Sequence, residues 1–373
     1  MKKILLLFSI MLLSGVYALA GTATSDCFTL SSATLTPGGK EVKVTLSLNG
    51  SRLYTAYNMD ITLPEGVELN YYNDAPDVSM AKNGGIYPYE EDRDENKTYY
   101  HTLSCSYGVI GPKVLRIACI STQNKNFTAN SGALINIYLK ASAFAKPGTA
   151  DISFTGQAIT AIEEGNVVQY DPSDRIDQNV TIGTSSTVAL NISAANQYST
   201  CILPFDADLP SGVTAYSCDD YKDGFAMLKS ASSFAAYTPY IVFSETGYSN
   251  NISGTVDASK YVASATNDYL NGAIVPQQIT EGYILQNQGE GAKFYNANGE
   301  SFTIPSGKCW LTLPSSAKDE VGFAFDTPSA IEAIPESAEG KETTIYDLTG
   351  RSILNPQVGQ VYIMDGKKVI KIK

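Results

Sequence analysis

The sequence predicts an all-β protein: two β-sandwich domains followed by a small C-terminal β unit. Three observations predict it. Apolar and polar residues alternate with period two in short runs bounded by Gly and Pro, as in Val42, Val44, Leu46 and Leu48 against Lys43, Thr45 and Ser47. No stretch of the first half keeps a period of 3.6. Among the 373 residues are 24 tyrosines and a single tryptophan, a composition that suits pleated surfaces, where aromatic and β-branched side chains pack well.

Residues 1–20 read as an export signal. Lys2 and Lys3 form a positive start, Ile4 to Leu13 an apolar run, and Ala18-Leu19-Ala20 a small-residue cleavage point, so that the mature protein begins near Gly21. The apolar run is shorter than the roughly 20 residues a spanning helix needs, and no later segment is expected to span a bilayer. The roughly 350 residues that follow exceed what one core usually organises.

In residues 21–185 the alternation recurs in Tyr57, Met59, Ile61 and Leu63 and stops at Pro64-Glu65-Gly66. Further strand-like runs are Tyr99 to Tyr107, Val114 to Ile120, Ala133 to Lys140 and Asp151 to Phe154, separated by Gly111-Pro112 and Pro147-Gly148. Short strands with such turns form a sandwich whose two sheets bury their inner faces. In residues 186–325 the runs are Tyr198 to Leu203, Val213 to Tyr216, Tyr240 to Phe243, Tyr283 to Leu285, Lys293 to Tyr295 and Cys309 to Leu313. Residues 326–342 thin to Thr, Pro, Ser, Ala and Glu and read as a linker, being too polar to bury a core. Residues 343–373 recover strand character, with Tyr362 to Met364 and Val369 to Ile372 flanking Asp365-Gly366, a pair that tolerates the positive φ of a type I′ turn.

The formal charge is −12, and two units more negative without Lys2 and Lys3. Such a surface repels phosphate backbones, so nucleic acid is not an expected partner. Six cysteines, at 27, 105, 119, 201, 218 and 309, lie in a chain expected to be exported, without a Cys-x-x-Cys. Cys105 with Cys119, equidistant from Pro112, and Cys201 with Cys218, around Leu209-Pro210, are the candidate disulfides; neighbouring free thiols are the equal alternative.

The segment from Asn70 to Tyr100 mixes tyrosines with acids and amides. Sugar rings stack on aromatic faces while carboxylates accept hydroxyl hydrogens, which makes Tyr71, Tyr72, Tyr87, Tyr89, Tyr99 and Tyr100, with Asp92 and Asp94, the candidate ligand-binding residues. The alternative, favoured by the abundance of tyrosine throughout, is that the rings cap the core and the acids form a solvated rim. Asp92, Asp94 and Asn96 have the spacing of half a calcium loop, but Lys97 stands where the glycine belongs and Leu103 where the bidentate glutamate belongs, which excludes an EF-hand. His101 is the sole histidine and has no nucleophile motif around it, so a structural role suffices. Trp310 is expected in the core. No catalytic residue, metal ligand set or cofactor motif is assigned.

Three resemblances add to this reading. Ile345-Tyr346-Asp347-Leu348-Thr349-Gly350-Arg351, then Gly359, then Gly366-Lys367-Lys368-Val369 resembles the C-terminal sorting domains of type IX secretion. That resemblance implies a β tail recognised by the outer-membrane secretion machinery, often removed, and cargo that ends secreted or on the outer surface of a Gram-negative bacterium. Val42-Lys43-Val44-Thr45-Leu46, Ala56-Tyr57-Asn58-Met59-Asp60-Ile61-Thr62-Leu63-Pro64-Glu65-Gly66-Val67 and Gly132-Ala133-Leu134-Ile135-Asn136-Ile137 resemble a cohesin-like domain of the cellulose-binding-module type. The region from 186 also resembles a β-sandwich found before such tails. Together these imply a non-catalytic surface binding or adhesion protein that takes a glycan or a protein partner. A structural spacer without a small ligand and a glycoside hydrolase built on two of the acids stay open as alternatives.

Overall fold

The computed structural model describes residues 22–173, 178–289, 291–315 and 317–325, and the short pieces 332–333, 345–346, 352–353, 356, 361–364 and 367–370. The expected signal, most of the expected linker, and the tail residues Asp347, Gly350, Arg351, Gly359 and Gly366 lie outside the described residues. The described residues are all-β, interrupted by a single 3₁₀ turn at Ala258–Lys260.

One core is built from residues 28–182. A six-stranded sheet runs in the order Thr22–Ala23, Asn166–Asp171, Ser153–Glu163, Ala56–Thr62, Val114–Ser121, His101–Tyr107. A second sheet places Val42–Asn49 between Cys27–Leu30 and Ser131–Ala141, the latter also pairing with Val67–Leu69 and Val78–Met80. The alternation in the sequence becomes the inner faces: Val44, Leu46 and Leu48 on one sheet, Tyr57, Met59, Ile61, Leu115, Ile117 and Cys119 on the other, all buried in one cluster. Burying each large apolar side chain contributes roughly 1.5–3 kcal/mol, which is what holds the sheets together. The expected run Asp151 to Phe154 is two strands, Gly148–Asp151 and Ser153–Glu163, because the chain changes sheets at Ile152, the first strand pairing with Asn179–Ile182 and the second with Ala56–Thr62.

The hairpin of His101–Tyr107 with Val114–Ser121 corrects the first expected disulfide. Cys105 lies opposite Ile117, and Cys119 lies opposite Leu103. The turn is centred one residue earlier than Pro112, which shifts the register by two and preserves the buried face while separating the thiols. The second expected pair fails for a topological reason. Tyr240–Phe243 lies between Tyr198–Cys201 and Thr214–Lys222, so Cys201 and Cys218 sit on non-adjacent strands and face different cores. All six cysteines are free.

The residues from 185 form a curved ten-stranded sheet, from Tyr198–Cys201 through Tyr240–Phe243, Thr214–Lys222, Phe225–Ala231, Glu320–Phe325, Ala292–Asn296, Tyr283–Asn287, Cys309–Leu311 and Leu270–Ala273 to Ser264–Asn267. The pair Ser185–Ile192 and Tyr248–Thr255 shares a core with its start, and a second core fills the inside of the curl. The curl brings Thr200 against Cys309: the Thr200 hydroxyl accepts the Cys309 N–H at 2.9 Å, a side chain standing in for a ladder bond. Trp310 corrects the expectation of core burial, since it points away from the faces of Cys309 and Leu311 and is half-buried over Gly282.

The loop after Ser131–Ala141 joins the two halves. Phe144 packs on both cores of the second half, its backbone oxygen accepts Tyr261 Oη at 2.9 Å, and the Ser186 hydroxyl donates to Ala143 O at 2.6 Å. Two glycines make the approach close: a Cβ on Gly38 would meet Thr187 O at 1.9 Å, and one on Gly307 the Phe144 ring at 2.5 Å. In the last piece, Val361–Met364 pairs antiparallel with Lys367–Ile370, with Met364 opposite Lys367.

Candidate binding site

The eight candidate ligand residues do not form one site. Tyr71 and Tyr72 stand on a hairpin with Ala75–Pro76, Tyr71 opposite Pro76 and Tyr72 opposite Ala75. Asn73 and Asp74 have φ of 49° and 61°, the pair of positive values a type I′ turn requires. The hairpin's base is fixed to the Ser131–Ala141 strand: Asn70 N–H donates to Tyr138 O at 2.8 Å, Tyr138 N–H to Asp77 O at 3.1 Å, and the Asn70 amide to Asp77 Oδ2 at 2.7 Å. Tyr71 is 51% exposed and Tyr72 68%. The Tyr71 ring meets Tyr107 edge-on, centroids 6.4 Å apart, and burial together with Tyr71 and Glu68 raises the Tyr107 hydroxyl above its ordinary pKa.

Two residues beyond Tyr107, the turn of the neighbouring hairpin carries Val109, 77% exposed, and Ile110, 44% exposed. Tyr71, Tyr72, Tyr107, Val109 and Ile110 therefore share one end of the sandwich, on a two-residue turn and a six-residue hairpin loop. Sequence reasoning missed Tyr107, Val109 and Ile110; the signal was there, an apolar pair enclosed by Gly108 and Gly111-Pro112.

The Tyr89–Glu91 and Lys97–Tyr99 strands form a different hairpin, at the other end of the His101–Tyr107 edge strand. Tyr89 lies opposite Tyr99, rings 5.5 Å apart and tilted by 47°. Their faces are taken: Lys97 Nζ lies 4.5 Å from the Tyr89 centroid and Lys82 Nζ 5.2 Å from that of Tyr99, while Lys125 Nζ stands 5.1 Å from the Tyr100 centroid. Tyr100 is bonded to Glu90, which raises its pKa, and Lys97 is raised by its bond to the Tyr89 hydroxyl. Asp92 caps the turn: Oδ1 accepts the N–H groups of Asn96 and Asp94, each at 2.9 Å, and Oδ2 accepts the Asn96 amide at 3.2 Å, holding the carboxyl below its usual range. Asp92 is thus a local cap, with Asp94 beside it as an exposed residue of the same turn.

Tyr87 is a core residue, 3% exposed. Its hydroxyl shares a hydrogen bond with Tyr57 Oη at 2.9 Å and accepts Cys119 Sγ at 3.8 Å, and burial raises both phenols. His101, 4% exposed, stacks on Phe127 at 4.7 Å and places Nε2 3.0 Å from Thr55 O. A carbonyl accepts, so Nε2 carries a proton; Nδ1 has no partner, and burial lowers the ring's pKa.

Nucleophile chemistry finds little support. Burial pushes the thiols of Cys119, Cys201 and Cys218 up to about 12, and that of Cys105 upward as well, away from the thiolate a reaction needs. Among the described residues no group of three or more His, Cys, Asp or Glu could hold a metal ion, and no helix is long and apolar enough to cross a membrane.

No family model matches the chain, and no curated protein matches it. Among solved structures, a non-cellulosomal cohesin from Archaeoglobus fulgidus is similar at 15% identity over 43% of this chain and 91% of that one, with a TM-score of 0.30. CaCohA2 from Clostridium acetobutylicum is similar at 15% identity over 43% and 92%, with a TM-score of 0.31. A type II cohesin dyad from the adaptor ScaA scaffoldin of Acetivibrio cellulolyticus is similar at 11% identity over 81% and 99%, with a TM-score of 0.29.

Proposed function

We propose that this chain is an exported, non-catalytic binding protein that engages its partner with the end of the first sandwich formed by Tyr71, Tyr72, Tyr107, Val109 and Ile110. The observation that carries the reading is the concentration of four strongly exposed large apolar side chains on two neighbouring hairpins whose bases are hydrogen-bonded into the sheets. Exposed apolar clusters of this kind mark interaction surfaces, and tyrosine supplies large contact area with few rotors to freeze. The mixture of Val and Ile with Tyr suits a protein surface, and the cohesin resemblance in the sequence points the same way. A glycan is the second reading, favoured by Tyr72, which has no ring or cation packed on it among the described contacts and stands beside Asp74.

Export rests on Lys2, Lys3 and the apolar run after them, and on the tail motif with Tyr346, Lys367 and Lys368. The masses of both ends of the mature protein test this: a start near Gly21 and a shortened C-terminus are expected, and an unprocessed polypeptide in the cytosol would end the proposal. For binding, the full-length protein and a variant carrying Tyr71→Ala and Tyr72→Ala are compared on a glycan array and by crosslinking to intact cells. Retention on sugars that the variant loses identifies a glycan. Loss of a crosslinked protein identifies a protein partner. A variant that keeps all the wild type's binding refutes the site.

A further inference from the structure

The second half of the chain contains a groove that the tyrosine end does not touch. It lies where the first strand of the ten-stranded sheet approaches the seventh and eighth, between Tyr198–Thr200 on one bank and Ile284–Asn287, Phe302–Pro305 and Lys308 on the other, with a volume of about 320 Å³. That is near the small end of the range of roughly 300–1,000 Å³ for ligand pockets. It has room for one sugar ring and not for a chain of them.

Lys308 is the charged side chain of this groove. Its Nζ donates to Ser199 Oγ at 2.8 Å and to Thr200 O at 3.4 Å, and no carboxylate among the described residues pairs with it. An ammonium has three N–H donors, so two are engaged and one is unspent.

The walls define the ligand. Asn196, Gln286 and Asn287 bring amides to one end, and the Asn287 amide already bonds Asn196 Oδ1 at 3.2 Å, which orients both. Ile284 and Phe302 supply apolar surface. The edge of Tyr198–Cys201 that an extended peptide would add to is already engaged, the Thr200 hydroxyl by the Cys309 N–H at 2.9 Å and the Gly307 carbonyl by the Ile202 N–H at 3.3 Å. The groove therefore selects against strand addition. We infer that it binds a small hydroxylated carboxylate of the sugar-acid class, the carboxylate on Lys308 and the hydroxyls on the amides. This site is independent of the tyrosine end and stands or falls without it.

Isothermal titration of the full-length protein with glucuronate, glucose and acetate tests the assignment, the second probe having the ring without the charge and the third the charge without the ring. Saturable binding of glucuronate at least tenfold tighter than of either other probe is expected, and Lys308→Gln should erase that preference. Because Lys308 also steadies Ser199 and Thr200, a second variant is needed in case the first does not fold. Thr303→Glu places a negative charge at an exposed position of the groove wall; it should weaken glucuronate at least tenfold and leave glucose unchanged. No saturable glucuronate binding, equal affinity for glucuronate and glucose, or unchanged glucuronate affinity in the folded variants would overturn the inference.

Discussion

The hairpin of residues 71–76 and the hairpin of residues 89–99 are alike in the sequence, each a tyrosine pair beside acids and amides, and unlike in space. In the first, the turn is two residues long, no lysine among the described residues lies over either ring, and the tyrosines project beside an apolar neighbour loop. In the second, the turn holds Asp92 as its own cap, and Lys82 and Lys97 cover the rings. A ring face that already holds a cation is not free for a sugar or an apolar side chain. Composition therefore counts a tyrosine as a candidate platform, whereas the local partners decide whether its face is open.

The largest expected effect comes from the tyrosine that belongs to neither hairpin. Tyr87→Ala should destabilise the first sandwich by about 3–5 kcal/mol, the range for removing a large buried ring, because a cavity would open among Tyr57, Phe127 and His101. Urea unfolding followed by circular dichroism measures it. An unchanged midpoint with lost ligand binding would return Tyr87 to the surface platform and break the comparison.

Next is the response to acid. Burial lowers the His101 pKa below the ordinary 6.5. In the unfolded chain it takes up a proton at higher pH than in the fold, so stability is full above about pH 6.5 and declines as pH falls through the folded value. His101→Phe should flatten this part of the stability profile, leaving only the carboxylates to act at lower pH. The same slope in both proteins would show that the unpartnered Nδ1 is not the cause.

Period-two runs were enough to read the inner faces in advance: Val44, Leu46, Leu48, Tyr57, Met59 and Ile61 are buried, as their alternation demands. Register was not. A shift of two residues keeps every side chain on its face, so hydrophobic pattern is blind to it, and the expected Cys105–Cys119 pair failed for that reason. Strand order was equally hidden, since nothing near Cys201 or Cys218 announces that Tyr240–Phe243 inserts between them. The candidate site was half legible. Tyr71 and Tyr72 were visible in their segment, but that the faces of Tyr89 and Tyr99 are covered depends on lysines at 82 and 97, and Lys308 meets Ser199 only across 109 residues of sequence.

Rigidity of the first hairpin can be varied without touching its rings. Asn73→Val puts a β-branched side chain at φ 49°, a conformation that costs roughly 1–2 kcal/mol for an L-residue other than Gly or Asn. The turn should open, with amide exchange accelerating in residues 71–76 and partner binding weakening although Tyr71 and Tyr72 remain. Binding as tight as the wild type's would mean that composition alone suffices.

The smallest effect on stability, and the sharpest on the comparison, belongs to the lysines of the second hairpin. Both are surface residues, so Lys82→Ala with Lys97→Ala should leave the unfolding midpoint within error. What should change is access, because the outer faces of Tyr99 and Tyr89 would then be uncovered while the cross-strand pair and the Asp92 cap stay in place. If cation cover is what silences this hairpin, the double variant should retain on a glycan array sugars that the wild type does not, and a further Tyr89→Ala should remove that gain. A double variant with the wild-type array profile would place the cause elsewhere, in the 47° tilt that turns the two rings against each other rather than outward.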